Sequence, residues 1–464
     1  MHLTKGEVYV KTLLKRAGGC PLDIVSCPDT AFGVMSLLPP YIQQIRSLSF
    51  NCRNIWANVR KFSDLNPGPL PLLRTLEIDE IEEVDPFSPN RIIPHLIPFF
   101  SNTANLQEFR LHSPRWLPLN HFTFPNLAFF ELSVLVGGLR VPQLLDFLEA
   151  SPVLQKVDMK IYGDIFYDGV ARERVSVLHN VKSFCLAVND ERGYKLATHI
   201  SCPSAKHTSF THKHEQDSNG PIPREIFPAS VSWNTIIQQY TTSPVEEVAL
   251  EMVSLWSTLE CSLTFWSPNA SVMRLRFEFE DKEGDQGELE TFFVEMHCEV
   301  FSQASRTIRD LALLTDIKRL HVHHVGPVFV GETQPVMPIA NEVGRLFKSV
   351  GPLEELIFRS SQTERYFDSL FSNPESLYTK HPIVSPPIPI KELTVSHPIY
   401  ESDESFMAAI VGLVKSQHAL GVPFERVTVR MHHLPTDMEE KLRPWVGAAH
   451  CYKEPNKGGR SVPW

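Results

Sequence analysis

One short pattern recurs along the chain and limits its fold more than any other feature: φxxφxφ, where φ is a large apolar residue. The stretch Pro142 to Ile161, PQLLDFLEASPVLQKVDMKI, shows why. Leu144, Leu145, Phe147 and Leu148 are spaced as one face of a short helix. After Ser151-Pro152 the period shortens, and Leu154, Val157 and Met159 end in the alternation of a strand buried on one face. A helix, turn and strand of this size cannot bury its own apolar face. It requires neighbours of the same kind, and the chain supplies them.

The pattern occurs at Ile45/Leu48/Phe50, Leu73/Leu76/Ile78, Leu106/Phe109/Leu111, Leu127/Phe130/Leu132, Leu154/Val157/Met159 and Val181/Phe184/Leu186, with a weak copy at Ala205/Thr208/Phe210. It resumes at Val245/Val248/Leu250, Val272/Leu275/Phe277, Ile317/Leu320/Val322, Leu353/Leu356/Phe358, Ile390/Leu393/Val395 and Phe424/Val427/Val429. Successive copies stand about 21 to 45 residues apart, a spacing that overlaps leucine-rich repeats at its lower end. If each copy ends in a strand, the residues around its last two apolar positions face the other way and should be polar. About 34 of those 39 positions are polar or charged, the exceptions being Phe129, Cys185, Ala187, Ala249 and Ile357.

Between copies, helical spacing appears at Tyr9 to Arg16, Ile92 to Phe100, Leu144 to Leu148, Ile236 to Tyr240, Leu289 to Phe301, Ile339 to Phe347, Tyr366 to Phe371 and Phe406 to Val414. The 37 prolines fall mostly between periodic segments, where they stop helices and start turns. Strand, helix and return to a parallel neighbour is the unit of a stacked α/β array. The expected fold is therefore α/β: an irregular leucine-rich-repeat-like solenoid, or horseshoe, with a parallel concave β-sheet and outer helices. Residues 1–40 read as an N-terminal helix and connecting segment, 41–440 as the solenoid, and 441–464 as a loose tail. Loop insertions are expected near 211–244, opening with THKHEQDSNGPIP, and near 280–316, reached through EFEDKEGDQGELE. VSPPIPI, at Val384 to Ile390, reads as a loop leading into a strand.

Composition narrows the function. A hydrophobic fraction of 42% and a charged fraction of 21% are those of a water-soluble globular chain. A formal net charge of -10 argues against a general nucleic-acid binder. The eight cysteines form no CxxC pair, which suits reduced thiols and a cytoplasmic or nuclear setting. The N-terminus lacks a signal-peptide apolar region, so the Asn269-Ala270-Ser271 sequon reads as incidental. The longest apolar run, Leu127 to Leu139, carries Glu131 and is too short to span a bilayer; no membrane partner is expected.

The segment VKTLLKRAGGCPLDIV, the copy near Leu48, and units such as FLEASPVLQKVDM and CPSAKHTSF together resemble the irregular leucine-rich-repeat region of fungal F-box proteins. In that family an N-terminal F-box with an LPxEIL-like motif docks on the adaptor of a cullin-RING ubiquitin ligase, and the repeats capture a protein substrate. The resemblance covers most of the chain, through degenerate patterns. Here no F-box helix set precedes Val10, and Leu38-Pro39-Pro40-Tyr41-Ile42 has only a superficial likeness to its start. The resemblance thus implies a substrate-binding repeat region, with the ligase adaptor as partner only where an F-box is supplied.

No phosphate-cradling glycine loop, GxSxG elbow, HExxH or EF-hand is present, so the chain is expected to be non-catalytic and to need no cofactor. Three histidine groups, His207/His212/His214, His321/His323/His324 and His432/His433, come closest to metal chemistry. None has a carboxylate or cysteine spaced to complete a site, so no metal is assigned. A metal-dependent hydrolase on the late strands is the remote alternative, and a scaffold or adaptor unconnected to ubiquitin the nearer one. The concave-face candidates for binding a protein partner are Glu77, Asp79, Arg110, Lys156, Asp158, Lys160, Arg274, Arg276, Arg319, His321, Arg359, Arg426 and Arg430. Their order along the chain predicts a face that is acidic early and basic late. Trp56, Trp116, Trp256 and Trp266 fall off the strand pattern and read as core residues or as loop anchors for binding, with the core expected.

Overall fold

The computed structural model describes residues 7–26, 37–52, 70–80, 103–113, 119, 122–134, 138–171, 174–189, 191–216, 236, 239–240, 244–255, 258–267, 272–281, 289–312, 317–325, 346, 350, 352–360, 390–396, 403–431 and 437–453. The fold is mixed α/β and dominated by open β-sheet. The chain divides into two compact units, Met1–Thr211 with Thr235–Thr242, and His212–Asn234 with Ser243–Trp464. The expected helices at Ile92 to Phe100 and Tyr366 to Phe371 lie outside the described residues, as do Trp56, Trp116, Trp256 and His432/His433.

The first unit opens with a helix, Glu7–Arg16, and carries β1 (Leu22–Ser26), β2 (Ile45–Cys52), β3 (Thr75–Glu80), β4 (Glu108–Ser113), β5 (Phe129–Val134), β6 (Leu139–Arg140), β7 (Lys156–Ile161), β8 (Ile165–Phe166), β9 (Ser176–Val177), β10 (Ser183–Val188), β11 (Ile200–Ser201) and the start of β12 (His207–Gln216). Its main sheet runs β1-β2-β3-β4-β5-β7-β10-β12. From β1 to β10 every pairing is parallel. The small strands form two parallel pairs, β6 with β8 and β9 with β11. The segment expected only to connect, Leu22 to Ser26, is a sheet strand, because its backbone pairs in parallel with β2.

The φxx part of the pattern is a tight turn. The backbone N–H of Leu73, Leu106, Leu127, Leu154, Val181 and Ala205 each donates to the carbonyl three residues earlier, at 3.0 to 3.3 Å. The turn sequences are LPLL, TANL, FPNL, SPVL, LHNV and CPSA, and proline at the second position in four of them matches the fixed φ that position demands. Asparagine at the third position then ties one turn to the previous one. Asn105, Asn126 and Asn180 donate from Nδ2 to the carbonyls of Pro71, Ala104 and Pro152, at 2.8, 3.0 and 2.9 Å. After the turn, paired N–H groups continue the tie: those of Gln107 and Glu108 share the Arg74 carbonyl, and those of Ala128 and Phe129 share that of Gln107.

Inside this unit the apolar positions form a continuous core. Phe109, Phe124, Phe130 and Phe147 are all fully buried, with ring centroids 4.8 to 6.0 Å apart along Phe109–Phe124–Phe147–Phe130 and 5.9 Å between Phe109 and Phe130. Phe147 comes from the helix Val141–Glu149, so the helical period of the opening stretch packs onto Phe130 of β5 and the turn residue Phe124. Phe184, Phe210 and Tyr240 repeat the arrangement at 5.2 to 5.9 Å. Each such side chain contributes about 1.5 to 3 kcal/mol through burial.

The second unit begins with the end of β12 and carries β13 (Glu247–Leu255), β14 (Thr258–Trp266), β15 (Val272–Asp281), β16 (Arg319–Val325), β17 (Leu353–Ser360), β18 (Ile390–Ser396), β19 (Arg426–Met431) and β20 (Ala448–Lys453). Its strands run β15-β14-β13-β16-β17-β18-β19-β20. From β13 through β16 to β20 the pairing is parallel. The helix Leu289–Ala312 lies against β13 and β14 with Val300, Phe301, Ala304 and Ile308 buried, and the helix Asp403–Ala419 precedes β19.

Four expectations are corrected here. β13, β14 and β15 form an antiparallel meander instead of parallel units. β14 escaped the pattern because its buried Leu259, Cys261, Leu263 and Phe265 alternate without a leading turn residue. The same meander explains Val272, which alone among the pattern residues is not buried. The chain is already extended at Val272, so alternation buries Met273, Leu275, Phe277 and Phe279 and turns Val272 to the opposite face beside Trp266. Two predicted loops begin as strand, since β12 continues to Gln216 and β15 to Asp281. The predicted tail contains β20, which has no apolar alternation and is held through its backbone by β19, with Met438 and Leu442 of the short helix Met438–Leu442 buried before it.

Candidate functional site

Parallel register turns the polar positions into rows, one residue per strand at about 4.8 Å spacing. In the first unit three rows cross β3, β4, β5, β7 and β10: Thr75, Glu108, Phe129, Lys156, Ser183; Glu77, Arg110, Glu131, Asp158, Cys185; and Asp79, His112, Ser133, Lys160, Ala187. All six early candidates, Glu77, Asp79, Arg110, Lys156, Asp158 and Lys160, therefore share one face. At their centre is Glu131, whose side chain is 18% exposed. Arg110 approaches it at 3.8 Å, His112 at 3.2 Å and Lys160 at 3.9 Å. Arg110 also lies 3.6 Å from Glu108, and His112 lies 4.0 Å from Asp79.

Phe129 stands out in its row. It is half-buried on the polar face, with the Arg110 guanidinium 5.2 Å and the Lys156 ammonium 4.8 Å from its ring centroid. Beside it, partial burial raises the Asp158 carboxyl above the usual aspartate value, opposed by Lys160 and Lys156 and reinforced by Glu131. Burial likewise raises the Cys185 thiol, which makes it a poor nucleophile.

The second unit has its own rows. One crosses Val272, Trp266, Glu247, Arg319, Glu355, Glu392, Arg426 and Ala448; the next Arg274, Thr264, Ala249, His321, Ile357, Thr394, Thr428 and His450; the third Arg276, Ser262, Glu251, His323, Arg359, Ser396, Arg430 and Tyr452. The seven late candidates thus also share a face. Most have an acidic or hydroxyl neighbour. Arg319 lies 2.9 Å and His321 3.6 Å from Glu247; Arg426 lies 3.0 Å from Glu392. Arg276 joins Glu260 at 2.8 Å to Glu278 at 3.0 Å, and Arg274 Nε donates to Thr264 Oγ1 at 3.2 Å. Trp266, expected in the core, lies on this face with its ring 6.2 Å from that of His321.

The histidine group divides by strand parity. His321 and His323 occupy the polar face, and burial holds both imidazoles below the ordinary value. His324 points into the apolar side, where burial, with a smaller contribution from His323, lowers it to about 4. No group of three or more His, Cys, Asp or Glu side chains is arranged to hold a metal among the described residues. Among them, too, no helix is long and apolar enough to cross a membrane.

No family model and no curated protein matches the chain. In both units acids and bases interleave and neutralise one another, because register sets residues from separate copies side by side. Sequence reasoning also passed over Glu131, Glu247 and Phe129. The first two occupy polar slots of the pattern, so their placement was available from spacing; their central position was not, since it depends on which strands become neighbours.

Proposed function

We propose that this chain is a non-catalytic protein-recognition module that binds its partner on the polar face of its sheet. The observation that supports this is the row arrangement itself: successive units each place one charged, hydroxyl or aromatic side chain on the same face at strand spacing. Within each unit taken by itself, a surface of that kind suits an extended protein contact, with Phe129 as the aromatic anchor in the first unit, Trp266 in the second, and mutually neutralising ion pairs around each. The turns, asparagine ties and parallel strands support reading the chain as an irregular leucine-rich-repeat-like solenoid with that face concave. The likeness to fungal F-box proteins supports a substrate-binding role in a cullin-RING ligase, carried out in the cytoplasm or nucleus.

The test is co-purification of the full chain from cells with the recovered proteins identified by mass spectrometry, comparing the wild type with Glu131→Lys, Lys156→Glu and Arg319→Glu. The reading expects a defined partner that the variants of at least one unit weaken while remaining folded. Recovery unchanged by all three overturns it. The ligase adaptor among the recovered proteins supports the ubiquitin connection; a partner set without it leaves the scaffold alternative.

A further inference from the structure

Strand β20 ends the strand order of the second unit, paired with β19 and with no second neighbour among the described residues. Its backbone groups alternate in direction. The Ala448 N–H donates to the Glu425 carbonyl at 2.9 Å, so Ala448, His450 and Tyr452 turn their backbone groups toward β19, whereas Ala449, Cys451 and Lys453 turn theirs away. An outward row of this kind is a template for another strand.

One of the outward groups is already taken. The Cys451 N–H donates to Glu439 Oε1 at 3.1 Å. Glu439 is placed there by the short helix Met438–Leu442, which packs against β20 with Met438 and Leu442 buried. Arg443, one turn on, lies 3.9 Å from the same carboxylate. A carboxylate on an edge N–H fills the bond that an incoming strand would make, and its charge makes the bond stronger than a neutral one. Burial, reinforced by Glu439, pushes the Cys451 thiol up to about 11, so the sulfur stays uncharged at the middle of the edge.

The edge is also complementary to itself. Laid antiparallel on a second β20 about Cys451, it sets Cys451 opposite Cys451, each N–H donating to the other carbonyl with Cα atoms about 5.5 Å apart. His450 of each copy then stands opposite Tyr452 of the other. Both residues are exposed, and within one chain their rings stack at 6.4 Å. Cross-strand aromatic pairs of this kind stabilise a ladder. Ala449 meets Lys453, so no like charges face each other. Two identical edges joined in this way close on a two-fold axis and leave no edge for a third copy.

We infer that the outer edge of β20 is a docking site for β20 of a second copy of this chain, held closed by the Glu439 carboxylate on the Cys451 N–H. Opening exchanges that one bond per copy for a ladder between the strands. The pairing does not depend on partner recognition by the polar rows.

The experiment is sedimentation equilibrium of the full chain, wild type against variants. Glu439→Ala should shift the monomer–dimer equilibrium toward dimer by about tenfold or more. Glu439→Gln keeps a neutral, weaker acceptor and should produce a smaller shift; it reads the same equilibrium should the alanine variant lose its fold, which circular dichroism shows. Adding His450→Lys and Tyr452→Lys to Glu439→Ala sets lysine opposite lysine and should restore the wild-type equilibrium. Folded Glu439 variants that sediment as the wild type does, association that the two lysines leave unchanged, or assemblies larger than a dimer overturn the inference.

Discussion

His324 offers the sharpest test of the packing. It occupies the third apolar slot of β16 after Leu320 and Val322, in register with the buried Met252, and its imidazole is held neutral with a pKa of about 4 against an ordinary 6.5. The native pKa is depressed, so the unfolded chain binds a proton more readily than the native one between these values. Stability therefore rises with pH across that window and is lost as pH falls from about 6.5 through 4. Integrating the linkage from pH 7 to pH 4 gives a loss of about 3 kcal/mol from this one group. The assay is urea unfolding of the wild type and of His324→Gln at a series of pH values. His321 and His323 shift in the same direction, but they remain in both proteins, so the difference between the two isolates His324. The wild type should lose about 3 kcal/mol relative to the variant between pH 7 and 4, with a slope near 1.4 kcal/mol per pH unit at mid-window. A difference that does not change with pH would refute the burial of His324.

Further outcomes follow from the same geometry. Leu356→Asp should destabilise the second unit by about 4 kcal/mol or more, since it places a charge in the sheet's apolar side, whereas Arg359→Asp on the opposite side should leave folding intact; thermal unfolding of the two variants distinguishes them. Replacing Asn126 by Ala removes its 3.0 Å hydrogen bond to Ala104 and should cost about 1 kcal/mol in denaturant unfolding, with Asn105→Ala and Asn180→Ala behaving alike. Cys202 and Cys261 are buried and their thiols are pushed well up, while Cys20 is exposed. A native thiol titration followed by peptide mapping should label Cys20 rapidly and the other two only after unfolding.

Much of the parallel sheet was legible because the chain repeats a pattern with a physical cause. The turn residue, the two buried strand positions and the polar slots between them follow from side-chain alternation, and Leu76, Phe109, Phe130 and Leu356 lie in the core where that logic put them. β14 and β20 were not legible for opposite reasons. β14 has an apolar alternation but no turn signal, since an antiparallel neighbour needs only a short hairpin; β20 has neither, and is defined by backbone hydrogen bonds that carry no side-chain signature.

What the sequence determined by itself was which residues are apolar ribs and which stand on the opposite side of each strand. Local period and local turn chemistry are enough for that. Only the tertiary structure decided which polar residues became neighbours. Asp79 meets His112, and Glu131 gathers Arg110, His112 and Lys160, because parallel register joins residues many positions apart. The same register set Arg359, Ser396 and Arg430 in line. Such juxtapositions arise from strand order, a property of the assembled sheet that no single copy of φxxφxφ contains.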